Sequence, residues 1–181
     1  MIIFKDILTG CELATDASNP VLVDDLVYEF KAKYVTRSDT VDDSMIGGNK
    51  SAEDGADEDA DGSVSKSGYD VAIDNMLEEY PITDKKVYGS EVKKYMKRLQ
   101  AKLSETNPER CKIFEEKIKP YMSNLLKRFK KLQFYVHSDA IPKSDDGFPG
   151  MIVILEFREN EQGEETYVFQ FFKDGLLEEK C

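Results

Sequence analysis

An α+β fold is predicted for this chain from three observations. Apolar runs rich in β-branched and aromatic residues occupy both ends. Between them lies a stretch with apolar residues at helical spacing, broken once. The 181 residues are 40% hydrophobic, with ten Phe and nine Tyr, enough for one core. A single domain over residues 1–181 is therefore expected.

Residues 1–8 read as a strand, with Ile2, Phe4 and Ile7 apolar. Gly10, Asp16, Asn19 and Pro20 make 9–20 a loop. Leu26, Tyr28 and Phe30 alternate with Val27, Glu29 and Lys31, which predicts a strand continuing toward Val35. Residues 38–67 are rich in Gly, Ser, Asp, Ala and Glu. They bury too little to offset the entropy of ordering them, so a long flexible acidic loop is expected. Tyr69, Val71 and Ile73 alternate with Asp70 and Asp74, which predicts a strand running toward Leu77.

The period then changes. Tyr88, Val92, Tyr95, Met96, Leu99 and Leu103 fall at helical spacing within Val87–Ser104, with lysines on the other face. Asn107-Pro108-Glu109 starts a second helix: Asn caps, Pro suits the first turn, and Glu favours the positive end of the dipole. Phe114, Ile118, Tyr121, Met122, Leu125 and Phe129 continue it, and Pro120 should kink or interrupt it. The short break at 105–108 predicts an antiparallel helical hairpin over about 85–131. Leu132–His137, Met151–Arg158 and Thr166–Lys173 return to β, with a hairpin turn at Asn160–Gly163.

The formal net charge of −11 is unevenly spread. Asp39 to Gly62 holds nine acidic residues against one Lys, whereas Asp84 to Lys131 holds fifteen Lys or Arg against six Asp or Glu. An acidic chain is a poor general nucleic-acid binder. The basic half suits an acidic protein such as tubulin, through Lys93, Lys94, Lys97, Arg98, Lys127, Arg128, Lys130 and Lys131; the bland alternative is a solvated face over a core stripe. No run approaches the length of a membrane span, so no membrane insertion is expected.

Catalytic machinery is nearly absent. His137 is the only His and lies in an apolar run, so a structural role is expected. Gly47-Gly48 lacks the spacing of a phosphate-binding loop. The three cysteines, Cys11, Cys111 and Cys181, form no CxxC pair, which argues against zinc. Cys181 is read as an exposed thiol able to join two chains in an oxidised homodimer. Asp57, Asp59 and Asp61, followed by Gly62, match the opening of a calcium loop. Position 12 is Gly68 rather than Glu, which leaves only weak electrostatic attraction of Ca²⁺. Asp42-Asp43-Ser44 offers a hydroxyl to a kinase. The start Met-Ile-Ile-Phe-Lys-Asp has no signal-peptide pattern, so a cytoplasmic, reduced protein is expected.

Several segments resemble the translationally controlled tumour protein family, also called histamine-releasing factor. They are Met1 to Asp6, Ile46-Gly47-Gly48-Asn49-Lys50-Ser51-Ala52-Glu53, Lys93 to Lys97, Asn107-Pro108-Glu109-Arg110, Phe172-Lys173-Asp174-Gly175-Leu176 and Glu179-Lys180-Cys181. The resemblance covers essentially the whole chain. It implies a twisted, mainly antiparallel sheet core with a projecting helical hairpin and a flexible acidic loop, an Mss4-like fold shared with nucleotide-free chaperones of small GTPases. It implies a non-enzymatic protein of growth and survival that binds calcium and microtubules. Partners would include Ras-like small GTPases and anti-apoptotic Bcl-2-type proteins, and secretion by a non-classical route would accompany histamine release. The alternative it implies is a guanine nucleotide exchange factor or nucleotide-free chaperone for a Ras-like GTPase. Glu12 matches the family's GTPase-contact position and Ser44 its phosphorylation position. The chain departs from the family pattern at His137-Ser138, at the long Asp139–Pro149 loop and at Pro120.

Overall fold

The computed structural model describes residues 1–38 and 65–181. Ser44, Asp57, Asp59, Asp61 and the Ile46–Glu53 segment lie outside the described residues. Within them the chain forms strands β1 (Ile2–Asp6), β2 (Glu12–Thr15), β3 (Val21–Val23), β4 (Val27–Ala32), β5 (Tyr34–Ser38) and β6 (Ser65–Tyr69). A single-turn helix α1 (Asp70–Asp74) and strand β7 (Leu77–Glu79) lead to the long helices α2 (Lys85–Thr106) and α3 (Pro108–Lys127). Strand β8 (Leu132–His137), the short helix α4 (Ala140–Lys143), and strands β9 (Val153–Glu159), β10 (Glu165–Phe172) and β11 (Leu176–Lys180) complete it.

The architecture is α+β, and every strand pair is antiparallel. Six strands form one sheet in the order β3-β4-β10-β9-β8-β7, three form β11-β1-β2, and β5 pairs with β6. The β9–β10 hairpin closes where Asn160 and Gly163 predict it. Gly163 has φ +80°, its N–H donates to the Asn160 carbonyl at 3.0 Å, and Asn160 Oδ1 accepts from Gln162 and Glu164. A left-handed residue at that corner favours Gly.

The core is aromatic. Phe30, Phe134, Phe169, Phe171 and Phe172 are at most 1% exposed. The inner face of the helical hairpin lies on them: Tyr88 stacks on Phe134 with centroids 4.3 Å apart, Tyr95 stacks on Phe172, and Phe114 meets Phe172 edge-on. Each such side chain contributes about 1.5–3 kcal/mol by burial.

Four local expectations need correction. Residues 9–20 contain β2, because four residues between breakers still find a partner: Ala14 pairs with Phe4 and Thr15 with Ile3. Residues 70–74 turn as a helix rather than continuing a strand. Asp70 Oδ1 accepts from the N–H of Val71 and of Lys33, which bends the chain there and buries Val71 and Ala72. Residues 38 and 65–67, expected within the acidic loop, lie in strands: Ser38 pairs with Ser65, and the hydroxyls of Thr36 and Ser67 bond at 3.0 Å. Pro120 does not interrupt α3. It is exposed, as is Glu116, whose carbonyl it leaves without an intrahelical donor.

Polar side chains tie these layers together. Asp6 is 2% exposed and accepts from the N–H of Leu8 and of Met151, each at 2.8 Å. Burial pushes its carboxyl above the usual range, opposed by the Met151 and Leu8 bonds. The β3–β4 turn is made by Asp24 and Asp25, both left-handed at φ 54° and 56°. Non-glycine residues rarely hold that conformation. Here Lys173 and Arg110 grip Asp25 at 2.6 Å each, and Lys117 Nζ donates to the Asp24 carbonyl at 2.9 Å.

Candidate functional site

Helix α2 buries Tyr88, Val92, Tyr95, Leu99 and Leu103, so its other face is left to charged residues. Lys93, Lys94 and Lys97 are exposed there. They form no ion pair among the described residues. Arg98 differs: it pairs with Asp146, and its guanidinium carbon sits 3.9 Å from the centre of the Phe148 ring. Arg98 and then Ser144 hold the Asp146 carboxyl down at about 2.

At the end of α3 the same division recurs. Arg128 Nε donates to Glu156 Oε2 at 2.6 Å. Glu156 is 3% exposed and also accepts from Arg158 and Gln170. Burial pushes its carboxyl up, but Arg128 and Arg158 hold it below the usual range. Arg158 in turn bonds both oxygens of Glu29, and Tyr121 donates to Gln170. Lys127, Lys130 and Lys131 stay exposed. The eight basic positions thus separate by chemistry. The two arginines are ion-paired within the chain, Arg98 at the surface and Arg128 to a buried carboxylate, and the six lysines face solvent without an ion pair among the described residues.

A groove of about 500 Å³ opens beside the α2 lysines. Lys94, Lys97 and Ala101 form one wall, and Tyr80, Phe148 and Pro149 the other. The sequence reading missed Tyr80 and Phe148 as surface features. The signal was present in Gly147-Phe148-Pro149, an aromatic between two breakers.

Glu12 lies elsewhere, at the start of β2, opposite Lys5. It is exposed and forms no ion pair among the described residues. It lines a second groove, of about 340 Å³, with Lys5, Cys11, Met76, His137 and Asp139. Lys5 is engaged by Glu179 at 3.0 Å, and Asp139 by Lys143 at 3.3 Å. Met76 is 55% exposed although its φ is +59°, held by its carbonyl, which accepts from Ser138 N–H at 2.9 Å. His137 is buried, and its Nδ1 accepts from Asp139 N–H at 3.0 Å.

Cys181 is exposed, Cys11 half-buried and Cys111 buried, and none is in a disulfide. Among the described residues, no group of three or more His, Cys, Asp or Glu could hold a metal ion. No helix there is long and apolar enough to cross a membrane.

Two segments that carry the resemblance meet in space. Asn107 Oδ1 caps α3 by accepting from Arg110 N–H at 3.3 Å. Arg110 then reaches Asp174 with both Nε and Nη2, at 2.7 and 2.8 Å. The Asn107–Arg110 and Phe172–Leu176 segments are thus two halves of one ion-paired joint.

The model of the translationally controlled tumour protein family matches residues 1–177. A translationally controlled tumour protein homologue of Drosophila melanogaster is 41% identical, covering 100% of both chains, and one of Lumbricus rubellus is 38% identical over 99% of each. The solved structure of the Schizosaccharomyces pombe translationally controlled tumour-associated protein superposes with a TM-score of 0.72 at 36% identity, covering 100% of both chains. The Caenorhabditis elegans protein gives 0.71 at 33% identity, over 100% of this chain and 99% of its own. With an antiparallel α+β core, a basic helical hairpin and full-length similarity in both sequence and structure, the chain belongs to the translationally controlled tumour protein family.

Proposed function

We propose that this protein is a non-enzymatic cytoplasmic regulator that acts by binding other proteins, with acidic partners such as tubulin docking on the basic helical hairpin. One observation carries the reading. Lys93, Lys94 and Lys97 form an exposed cationic row on α2 with no ion pair among the described residues, on a chain whose net charge is −11. Such a row attracts acidic surfaces while the rest of the molecule repels them. The two arginines add no free charge, being engaged by Asp146 and Glu156.

Co-sedimentation with microtubules across a salt series tests this. Exposed ion pairs contribute about 0.2–1 kcal/mol each, so neutralising all three lysines to Gln should weaken binding by about 3- to 150-fold at low salt. Binding indifferent to the triple substitution would remove the hairpin from this role. The calcium candidates Asp57, Asp59 and Asp61 lie outside the described residues.

A second reading is contact with a Ras-like GTPase at Glu12. It is favoured by a carboxylate left exposed beside an apolar Met76 at the mouth of a groove. Its mechanism would be preferential affinity for the nucleotide-free state. GTPase nucleotide release unaffected by Glu12→Val would dismiss it.

A further inference from the structure

We propose that the groove between α2 and the Ser144–Pro149 loop seats an extended acidic peptide carrying one aromatic or branched apolar side chain. The proposal rests on the acidic-partner reading and gives it an address.

The groove is built rather than incidental. Ser144 Oγ donates to Asp146 Oδ1 at 2.8 Å and accepts from Phe148 N–H at 2.9 Å. Arg98 holds Asp146 from α2 and covers the Phe148 ring. Pro149 is buried. The loop is therefore ordered before any partner arrives, which lowers the entropic cost of docking. Tyr80, beside Phe148 in the groove lining, is fixed to α2 by its bond to Glu91 at 3.2 Å. A volume of about 500 Å³ lies within the roughly 300–1,000 Å³ of ordinary ligand sites.

Two features select the occupant. The first is charge. Arg98 and Asp146 neutralise each other, and the remaining lining charges are Lys94 and Lys97, which have no ion pair among the described residues, against Glu91, whose Oε1 accepts from the neutral Tyr80 hydroxyl, so the groove keeps a net positive charge. Three residues apart on a helix, the Cβ atoms of Lys94 and Lys97 lie about 5–6 Å from each other. Alternate residues of an extended peptide are about 6.6 Å apart. Two acidic side chains separated by one residue can therefore each meet a lysine. The second is the apolar wall. The half-buried Phe148 and Tyr80 rings face the same space, and the intervening peptide residue can place its side chain between them.

The test uses the full chain and a fluorescein-labelled Glu-Glu-Phe-Glu-Glu peptide, followed by anisotropy. Lys94→Gln with Lys97→Gln should weaken binding about fivefold or more and flatten its salt dependence. Replacing the peptide Phe by Ala should also weaken it about fivefold, and that loss should persist at high salt. Phe148→Ala should weaken binding, whereas Phe148→Leu, which keeps an apolar wall if the loop loosens, should restore part of it. Amide resonances of Gly147 and Phe148 should shift on titration. Lys130→Gln with Lys131→Gln should change affinity by less than about twofold. Equal binding of the Ala peptide, or indifference to the Lys94 and Lys97 pair, overturns the proposal. Loss confined to the Lys130 and Lys131 pair overturns the groove but leaves the acidic-partner reading standing. Peptide binding at the groove without microtubule binding supports the groove and dismisses tubulin as its partner.

Discussion

Replacing Arg110 by Met should cost about 3 kcal/mol of stability. Its side chain is 19% exposed and that of Asp174 is 5% exposed, so the bidentate pair is largely out of water. Removing one partner of such a pair costs about 3–5 kcal/mol, because the other charge stays buried and unpaired. The Asp25 contact adds little, since that carboxylate is 41% exposed and Lys173 still holds it at 2.6 Å. The lower end of the range therefore applies. For a chain of this size about 3 kcal/mol lowers Tm by about 6–12 °C. Urea unfolding of the wild type, Arg110→Met, Asp174→Asn and the double variant measures both the loss and its origin. The double variant should be more stable than Arg110→Met alone, because Asn removes the stranded charge. A single-variant loss below about 1 kcal/mol, or a double variant no better than Arg110→Met, would refute the assignment of a buried ion-paired joint.

Other outcomes follow from named atoms. The Tyr95 hydroxyl is fully buried without a hydrogen-bond partner among the described residues, and a Cβ at Gly175 would overlap it; Tyr95→Phe should leave stability unchanged or raise it by about 1 kcal/mol, and should soften the damage of Gly175→Ala in a thermal-melt cycle. Asp6 has a raised folded-state pKa, so the folded state binds its proton more tightly than the unfolded state. Stability should therefore fall as pH rises from about 3.9 through the folded value. Asp6→Asn should abolish that slope in a pH series of unfolding curves, yet lose about 1–3 kcal/mol at pH 7 because its amide would face the N–H of Leu8 or of Met151. Met76→Gly relieves the left-handed backbone at φ 59° and should leave unfolding free energy within about 1 kcal/mol of the wild type. A loss above about 2 kcal/mol would show that the Met side chain packs instead of being presented.

Periodicity revealed what packing enforces. The α2 stripe from Tyr88 to Leu103, the Asn107 cap and the Asn160–Gly163 turn were legible because each rests on local spacing or local hydrogen bonding. What escaped was decided by distant partners. Strand β2 exists because β1 runs beside it, and α1 because Asp70 takes two backbone N–H groups, one of them from Lys33. The sorting of the basic hairpin was equally invisible. In sequence Arg98 and Lys97 look alike, but only a fold that brings Asp146 and Phe148 to α2 tells them apart. The groove follows from the same long-range pairing. Glu12 was legible only by resemblance, since nothing in its neighbours along the chain predicts Met76 and His137 beside it.

Strands β1 and β11 join the two ends of the chain: Ile2 faces Lys180, and Cys181 N–H donates to the Met1 carbonyl at 2.8 Å. Pairing residues this far apart requires closing a loop of nearly the full length before any hydrogen bond repays it. Contacts of that kind slow folding and form late. The β11-β1-β2 sheet should therefore act as a final latch, assembled after the β9–β10 hairpin and the α2–α3 pair have formed locally. Its opening would be the first step of unfolding, and it would expose Phe4, Leu13 and the Cys11 thiol together.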